Sequence, residues 1–162
     1  MFAIMLQSDD PAALPHVNVV MTFLHMIWPV AKSCAAAVRL LRSMPWGMLV
    51  SRLNALSSVK ENMPDRVKTA RADQTFMPDD AEDIPLIEDF AMRGLLWCRD
   101  FFPEKWFDRK DKDELPHHEP AIANCIRAQR ILWSAVKLSI ESPLLEFDRA
   151  SGRFEAGDIT TR

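Results

Sequence analysis

Apolar residues recur at helical spacing in four stretches of this chain, and prolines punctuate them. Between residues 15 and 28, Val17, Val20, Met21, Leu24 and Trp28 share one face, the i, i+3, i+4, i+7 pattern of an amphipathic helix. Pro15 stands in the first turn, where a missing amide is tolerated, and Pro29 predicts the break. A second helix is expected over 33–41, with small residues at Cys34 to Ala37 permitting close packing. Its Arg39 and Arg42 stand toward the C-terminal end, where the helix dipole favours cations. Pro45 opens a third helix, in which Trp46, Leu49, Val50, Leu53 and Leu56 follow the 3.6-residue period. These three are expected to form a compact antiparallel group.

The pattern is lost over 57–83, where Lys60, Arg66, Lys68 and Arg71 alternate with Glu61, Asp65, Asp73, Asp79, Asp80, Glu82 and Asp83. Mixed charge with few large apolar residues predicts a flexible linker. A motif helix is expected next, over 87–102. Glu88 and Asp89 lie in its first turn, where carboxylates meet unpaired amides, and Asp89 can pair with Arg93 at i+4. Phe90, Gly94, Trp97 and Phe101 then fall on one face. Gly94 inside that face costs about 1 kcal/mol against alanine, which predicts close approach by a neighbouring helix. Pro103 ends the run.

The last long helix is expected over 120–141, with Pro143 as its stop. Ile122, Ile126, Trp133, Val136 and Ile140 would face inward, and Arg127, Arg130, Ser134 and Lys137 outward. Residues 144–154 read as a short extended or turn element, in which Gly152 allows a reversal and Phe147 and Phe154 pack back. The expected fold is therefore all-α, a single domain of about five helices in stacked antiparallel hairpins. Its parts are a tail at 1–13, a helical group at 14–56, the linker at 57–83, a second helical group at 84–154 and a tail at 155–162.

Composition narrows this picture. With 162 residues and 48% hydrophobic content, the chain can bury the core of one ordinary domain. Four glycines against eleven prolines, with no tyrosine, suit helices separated by proline stops. A net charge of -3 gives no global reason to expect a nucleic-acid binder. Cys34, Cys98 and Cys125 are odd in number and far apart, and read as small hydrophobes in a reducing compartment. The apolar start is followed at once by Asp9 and Asp10, which argues against a secretory signal. The later apolar run at 17–30 contains Asn18, His25 and Pro29 and falls short of the roughly 20 residues a spanning helix needs. No membrane partner is expected.

Chemistry is sparse. Asp111, Asp113, Glu114, His117, His118 and Glu119 are metal-capable but sit in a polar, proline-containing linker with nothing rigid to fix a geometry. Glu88 and Asp89 are adjacent, so on a helix they point about 100° apart and cannot oppose one another as acid and base. His16 and His25 lack a visible third partner, which leaves cap or packing roles. The expectation is no catalytic residue, no metal, no cofactor and no enzyme. Arg127, Arg130 and Lys137, extended by Arg99 or Arg109, form the candidate anion-contact surface for weak binding of RNA or single-stranded DNA. The plain alternative is a solvated helix face. Trp28, Trp46, Trp97 and Trp133 fall on apolar stripes, whereas Trp106, beyond Pro103, is the candidate exposed anchor.

Three segments in order carry a resemblance. LPHVNVVMTFLHMIW at 14–28, MPWGMLVSRLNAL at 44–56, and EDFAMRGLLWCRDFFPEKWF at 88–107 followed by RAQRILW at 127–133 resemble the helical region of the ever-shorter-telomeres family. That family includes telomerase-associated proteins and adaptors of nonsense-mediated mRNA decay, and the region is described as a DNA/RNA-binding domain. Glu88, Asp89, Phe90, Arg93, Gly94 and Trp97 match its central motif, in a mainly structural role. Ile87 stands where the family has proline, so an altered helix start is expected. Family members also carry a phosphopeptide-binding tetratricopeptide domain, and some a nuclease-like domain, and neither fits in this chain. The resemblance thus implies a non-catalytic scaffold or adaptor with protein partners in mRNA decay or telomerase complexes, in the nucleus or cytoplasm. The alternatives are direct single-stranded nucleic-acid binding through the basic face, or a partial gene product without independent function.

Overall fold

Six α-helices and one β-hairpin make up the described residues, 6, 10–74, 76–77, 85–108 and 120–158, of the computed structural model. In chain order they are α1 (Leu14–Ala31), α2 (Ala35–Arg42), α3 (Trp46–Ser57), α4 (Asp65–Lys68), α5 (Ile87–Met92) and α6 (Pro120–Glu141), then β1 (Leu145–Asp148) and β2 (Arg153–Ala156). The chain is mostly helical. Its small two-stranded sheet corrects the all-α expectation.

α6 organises the rest. Every residue from 131 to 138 is buried, which a helix with one wet face cannot achieve. α1, α3, α4 and β1 all pack against it. The expected outward face of Arg130, Ser134 and Lys137 is accordingly buried, while Ile122 and Ile140, expected inside, are exposed.

α1 lays Val17, Met21 and Leu24 into the core, as its stripe predicts. The helix does not break at Pro29 but runs on to Ala31, because a missing amide near the end of a helix forfeits little. With the turn before it, Pro11–Ala31 is long and apolar enough to cross a membrane by length and composition, and longer than the apolar run read from sequence. A core helix passes the same test, and α1 turns its apolar stripe to α6.

α3 buries Trp46, Leu49 and Leu53 and holds the hairpin through one side chain. Asn54 donates to the Phe154 carbonyl at 3.0 Å and accepts from the Phe154 amide at 2.8 Å. β1 and β2 pair antiparallel with Phe147 opposite Phe154. Gly152, at φ +69°, makes the reversal.

Both tails are more ordered than expected in their described parts. Leu6 belongs to the core, and Asp10 caps a 3-10 turn at Pro11–Ala13 by accepting from the Ala12 amide at 2.9 Å. At the other end β2 reaches Ala156, and the Gly157 amide donates to the Leu144 carbonyl at 3.1 Å.

The expected flexible linker is also folded where it is described. A 3-10 turn at Lys60–Asn62 and α4 carry Met63, Val67 and Ala70 into the core. Gln129 of α6 accepts from Arg66 at 2.5 Å and donates to the Glu61 carbonyl at 2.9 Å. The three apolar residues stand at i, i+4 and i+7, a helical signal that the surrounding charges obscure. Residues 78–83 lie outside the described residues.

The motif helix is shorter than expected. α5 ends at Met92, and 3-10 turns at Leu96–Cys98 and Trp106–Asp108 follow. Arg93 is extended and Gly94 adopts φ +88°, so the glycine serves a reversal that other residues resist. A methyl at Gly94 would meet open space, which overturns the expected close helix contact. The one-face alignment of Phe90, Gly94, Trp97 and Phe101 is lost with the helix. Phe90 is exposed, and Trp97 is half-buried with its edge on Phe23, ring centroids 5.4 Å apart.

Candidate functional site

The residues singled out for chemistry converge between α1, α5 and α6, but as an interior network. Arg127 grips Glu88 with two parallel bonds, Nε to Oε1 at 2.8 Å and Nη2 to Oε2 at 3.1 Å, and donates from Nη1 to Asn124 at 3.1 Å. Asn18 of α1 donates to the same Glu88 at 3.3 Å. One helical turn along α6, Arg130 donates from Nη1 to Asp89 Oδ2 at 2.6 Å. That oxygen also accepts from the Leu86 amide at 2.9 Å, so Asp89 pairs across the fold and not with Arg93. Farther along, Lys137 Nζ lies 3.3 Å from Glu141 Oε1, and His25 Nδ1 of α1 lies 3.3 Å from Glu141 Oε2.

Burial decides what these groups can do. Arg130 is 4% exposed and Lys137 7%, and the Arg127 side chain is nearly as enclosed. The predicted basic face is therefore not a face. Each cation is neutralised within the fold, and a phosphate could reach Arg130 or Lys137 only by displacing a carboxylate. Burial pushes the Asp89 carboxyl above its ordinary value. The charge of Arg130 and the Leu86 amide oppose this without cancelling it. For Glu141 burial also acts upward, but the His25 hydrogen bond and the Lys137 charge outweigh it and hold the carboxyl below the usual range.

Trp106, expected as an exposed anchor, is 2% exposed. It packs against Phe76 at 4.7 Å between centroids, and the Arg130 guanidinium lies 5.0 Å over its ring. Sequence could not place it, because Phe76 comes from the segment read as linker. Burial pushes the Cys98 thiol up to about 12, with the Asp89 charge adding to the effect, which favours the thiol over the reactive thiolate. The Ala37 and Ala36 amides lower the half-exposed Cys34 at the start of α2.

Among the described residues no group of three or more His, Cys, Asp or Glu side chains could hold a metal. Arg109 and the sequence-predicted metal-capable cluster at 111–119 lie outside the described residues. A void of about 10 Å³ beside Asp89 and Arg130 is far too small for a substrate. The roomier feature, missed by the sequence reading, is an open cleft of about 500 Å³ beside the Gly94 turn, bounded by Arg93, Leu96, Arg99, Phe102 and Phe107. It exists because α5 stops early. Comparison with known proteins finds no family model, no curated protein and no solved structure that matches the chain.

Proposed function

We propose that this chain is a non-catalytic scaffold or adaptor module of the ever-shorter-telomeres type, built of stacked antiparallel helical hairpins and working with protein partners in mRNA decay or telomerase complexes. Convergence carries the reading. The first and third of the resembling segments meet, where Asn18 of the first bonds Glu88 of the third, and where within the third Glu88 pairs with Arg127 and Asp89 with Arg130. The second segment supplies Asn54, which holds the hairpin. The same geometry counts against nucleic-acid binding through Arg127, Arg130 and Lys137, because that reading needs cations free of partners.

The test is affinity capture with the tagged full chain from nuclear and cytoplasmic extracts. Enrichment of decay factors or telomerase components over a tag-only control is the expected result. Absence of both from the captured set removes the reading.

A further inference from the structure

The cleft beside Gly94 is unlike the rest of the surface. Where α5 ends, the Gly94 turn carries Leu95 and Leu96 outward, and Leu96 is 91% exposed. Ile87 and Phe90, one turn apart on α5, are exposed as well, and Phe90 lies 5.3 Å from Phe107 between ring centroids. Phe107 in turn meets Phe102 at 5.0 Å. A continuous apolar strip thus borders a cleft of about 500 Å³, large enough for a few side chains of a ligand.

Two guanidinium groups also line the cleft. Arg127, Arg130 and Lys137 are each held by a carboxylate. Arg93 lies 5.0 Å over the Phe107 ring, and neither it nor Arg99 has a carboxylate within ion-pair distance among the described residues. Glu104 is the acid on the lining. On a chain of net charge -3, two guanidinium groups against one carboxylate on the lining leave a small positive excess beside exposed leucines among the described residues.

From this we infer that the cleft is a docking site for a segment of a partner protein that presents apolar side chains flanked by Asp or Glu. The inference rests on the adaptor reading and names where a partner would bind. Two rivals fit less well. A nucleic-acid strand would stack bases on aromatic faces, but the side chain that stands farthest into solvent beside the cleft is aliphatic, Leu96 at 91% exposed against Phe90 at 37%. A second copy related by two-fold symmetry would bring the same surface against itself, with one carboxylate per cleft to meet two arginines. An acidic amphipathic segment satisfies both the leucines and the guanidinium groups, in the manner of a helix lying in a groove.

The test pans a random-sequence peptide-display library on the immobilised full chain and measures recovered peptides by fluorescence anisotropy. Recovered sequences should pair apolar with acidic residues. Their affinity should fall about tenfold with Leu96→Asp and with Arg93→Glu combined with Arg99→Glu, a loss typical of central contact residues. Leu40→Asp, at an exposed position on α2, should leave it unchanged. Leu96 makes so little contact that its replacement should preserve the far-UV circular dichroism. The proposal is overturned if panning yields no saturable binder, or if Leu96→Asp binds the peptides as well as the parent. It also falls if labelled oligouridine, not peptide, is the ligand lost on arginine reversal, or if Leu96→Asp dissociates a homodimer seen by light scattering. Extract capture that persists in Leu96→Asp removes the cleft but leaves the adaptor reading. Peptide binding without capture of decay or telomerase components does the reverse.

Discussion

Asp89 uses one oxygen for two purposes, accepting the Leu86 amide at the start of α5 and the Arg130 guanidinium from α6. Removing it takes the carboxylate from a buried guanidinium and from an amide together. Asp89→Ala should therefore cost about 3–5 kcal/mol in urea unfolding, the range for a buried pair broken on one side. Burial pushes the Asp89 carboxyl upward, and two charges taken out of water give back in desolvation much of what their attraction supplies. Replacing both partners, Asp89→Leu with Arg130→Met, should recover most of that loss. About 1 kcal/mol should remain for the unsatisfied Leu86 amide. A double variant no more stable than Asp89→Ala would mean that the network acts as a unit larger than this pair. Sequence suggested Arg93 as the partner of Asp89 because it lies four residues away. Arg130 lies 41 residues away, beyond any local rule.

At the scale of elements, apolar spacing marked α1, α3 and the ends of α6 well, since each has a stripe of large side chains bounded by proline. It failed at α4 and α5 for opposite reasons. Around α4, Met63, Val67 and Ala70 are buried, but charges outnumber them. In α5 the aromatic spacing suggested helix through Gly94, whereas the chain turns there at φ +88°. Periodicity records which residues could share a face. It does not record where the backbone gives way. The hairpin offers a sharper test at Gly157, where an added methyl would collide with the Pro143 carbonyl oxygen. Backbone on both sides cannot yield cheaply, so Gly157→Ala should destabilise the protein by about 1–3 kcal/mol, as overpacking does. It should also expose the β1 and β2 amides to hydrogen exchange before those of α6. Unchanged stability would mean that the end of β2 is free to move.

For the whole molecule, α6 is the common partner of α1, α3, α4 and β1, and its C-terminal turn is tied to α1 by Glu141. That carboxylate meets His25 and Lys137, and its backbone carbonyl accepts from the Trp28 indole at 2.9 Å. The Glu141 carboxyl is held below its ordinary value in the folded state. Folding therefore favours the ionised form. The resulting stability is fully present above the ordinary carboxylate range and is lost as pH falls through the lowered folded value. With the side chain 26% exposed, solvent screening limits the effect to about 1 kcal/mol. Glu141→Gln should be less stable than the parent near neutrality by about that amount, and the two unfolding free energies should converge in acid. A difference that does not change with pH would assign the loss to packing.

By itself the sequence determined that this is a mostly helical chain, which residues seed its main helices, where Pro143 stops α6 and where Gly152 reverses the chain. Those are local outcomes of side-chain spacing and backbone stereochemistry. Only the tertiary structure decided the fate of the charges. Arg127, Arg130 and Lys137 sit on one side of a helix whether that side meets water or carboxylates. Which of these holds depends on α1 and α5 arriving from distant parts of the chain. The same is true of Trp106, enclosed by Phe76 and Arg130. Leu96 is left in solvent for the converse reason, since among the described residues no element comes to cover it.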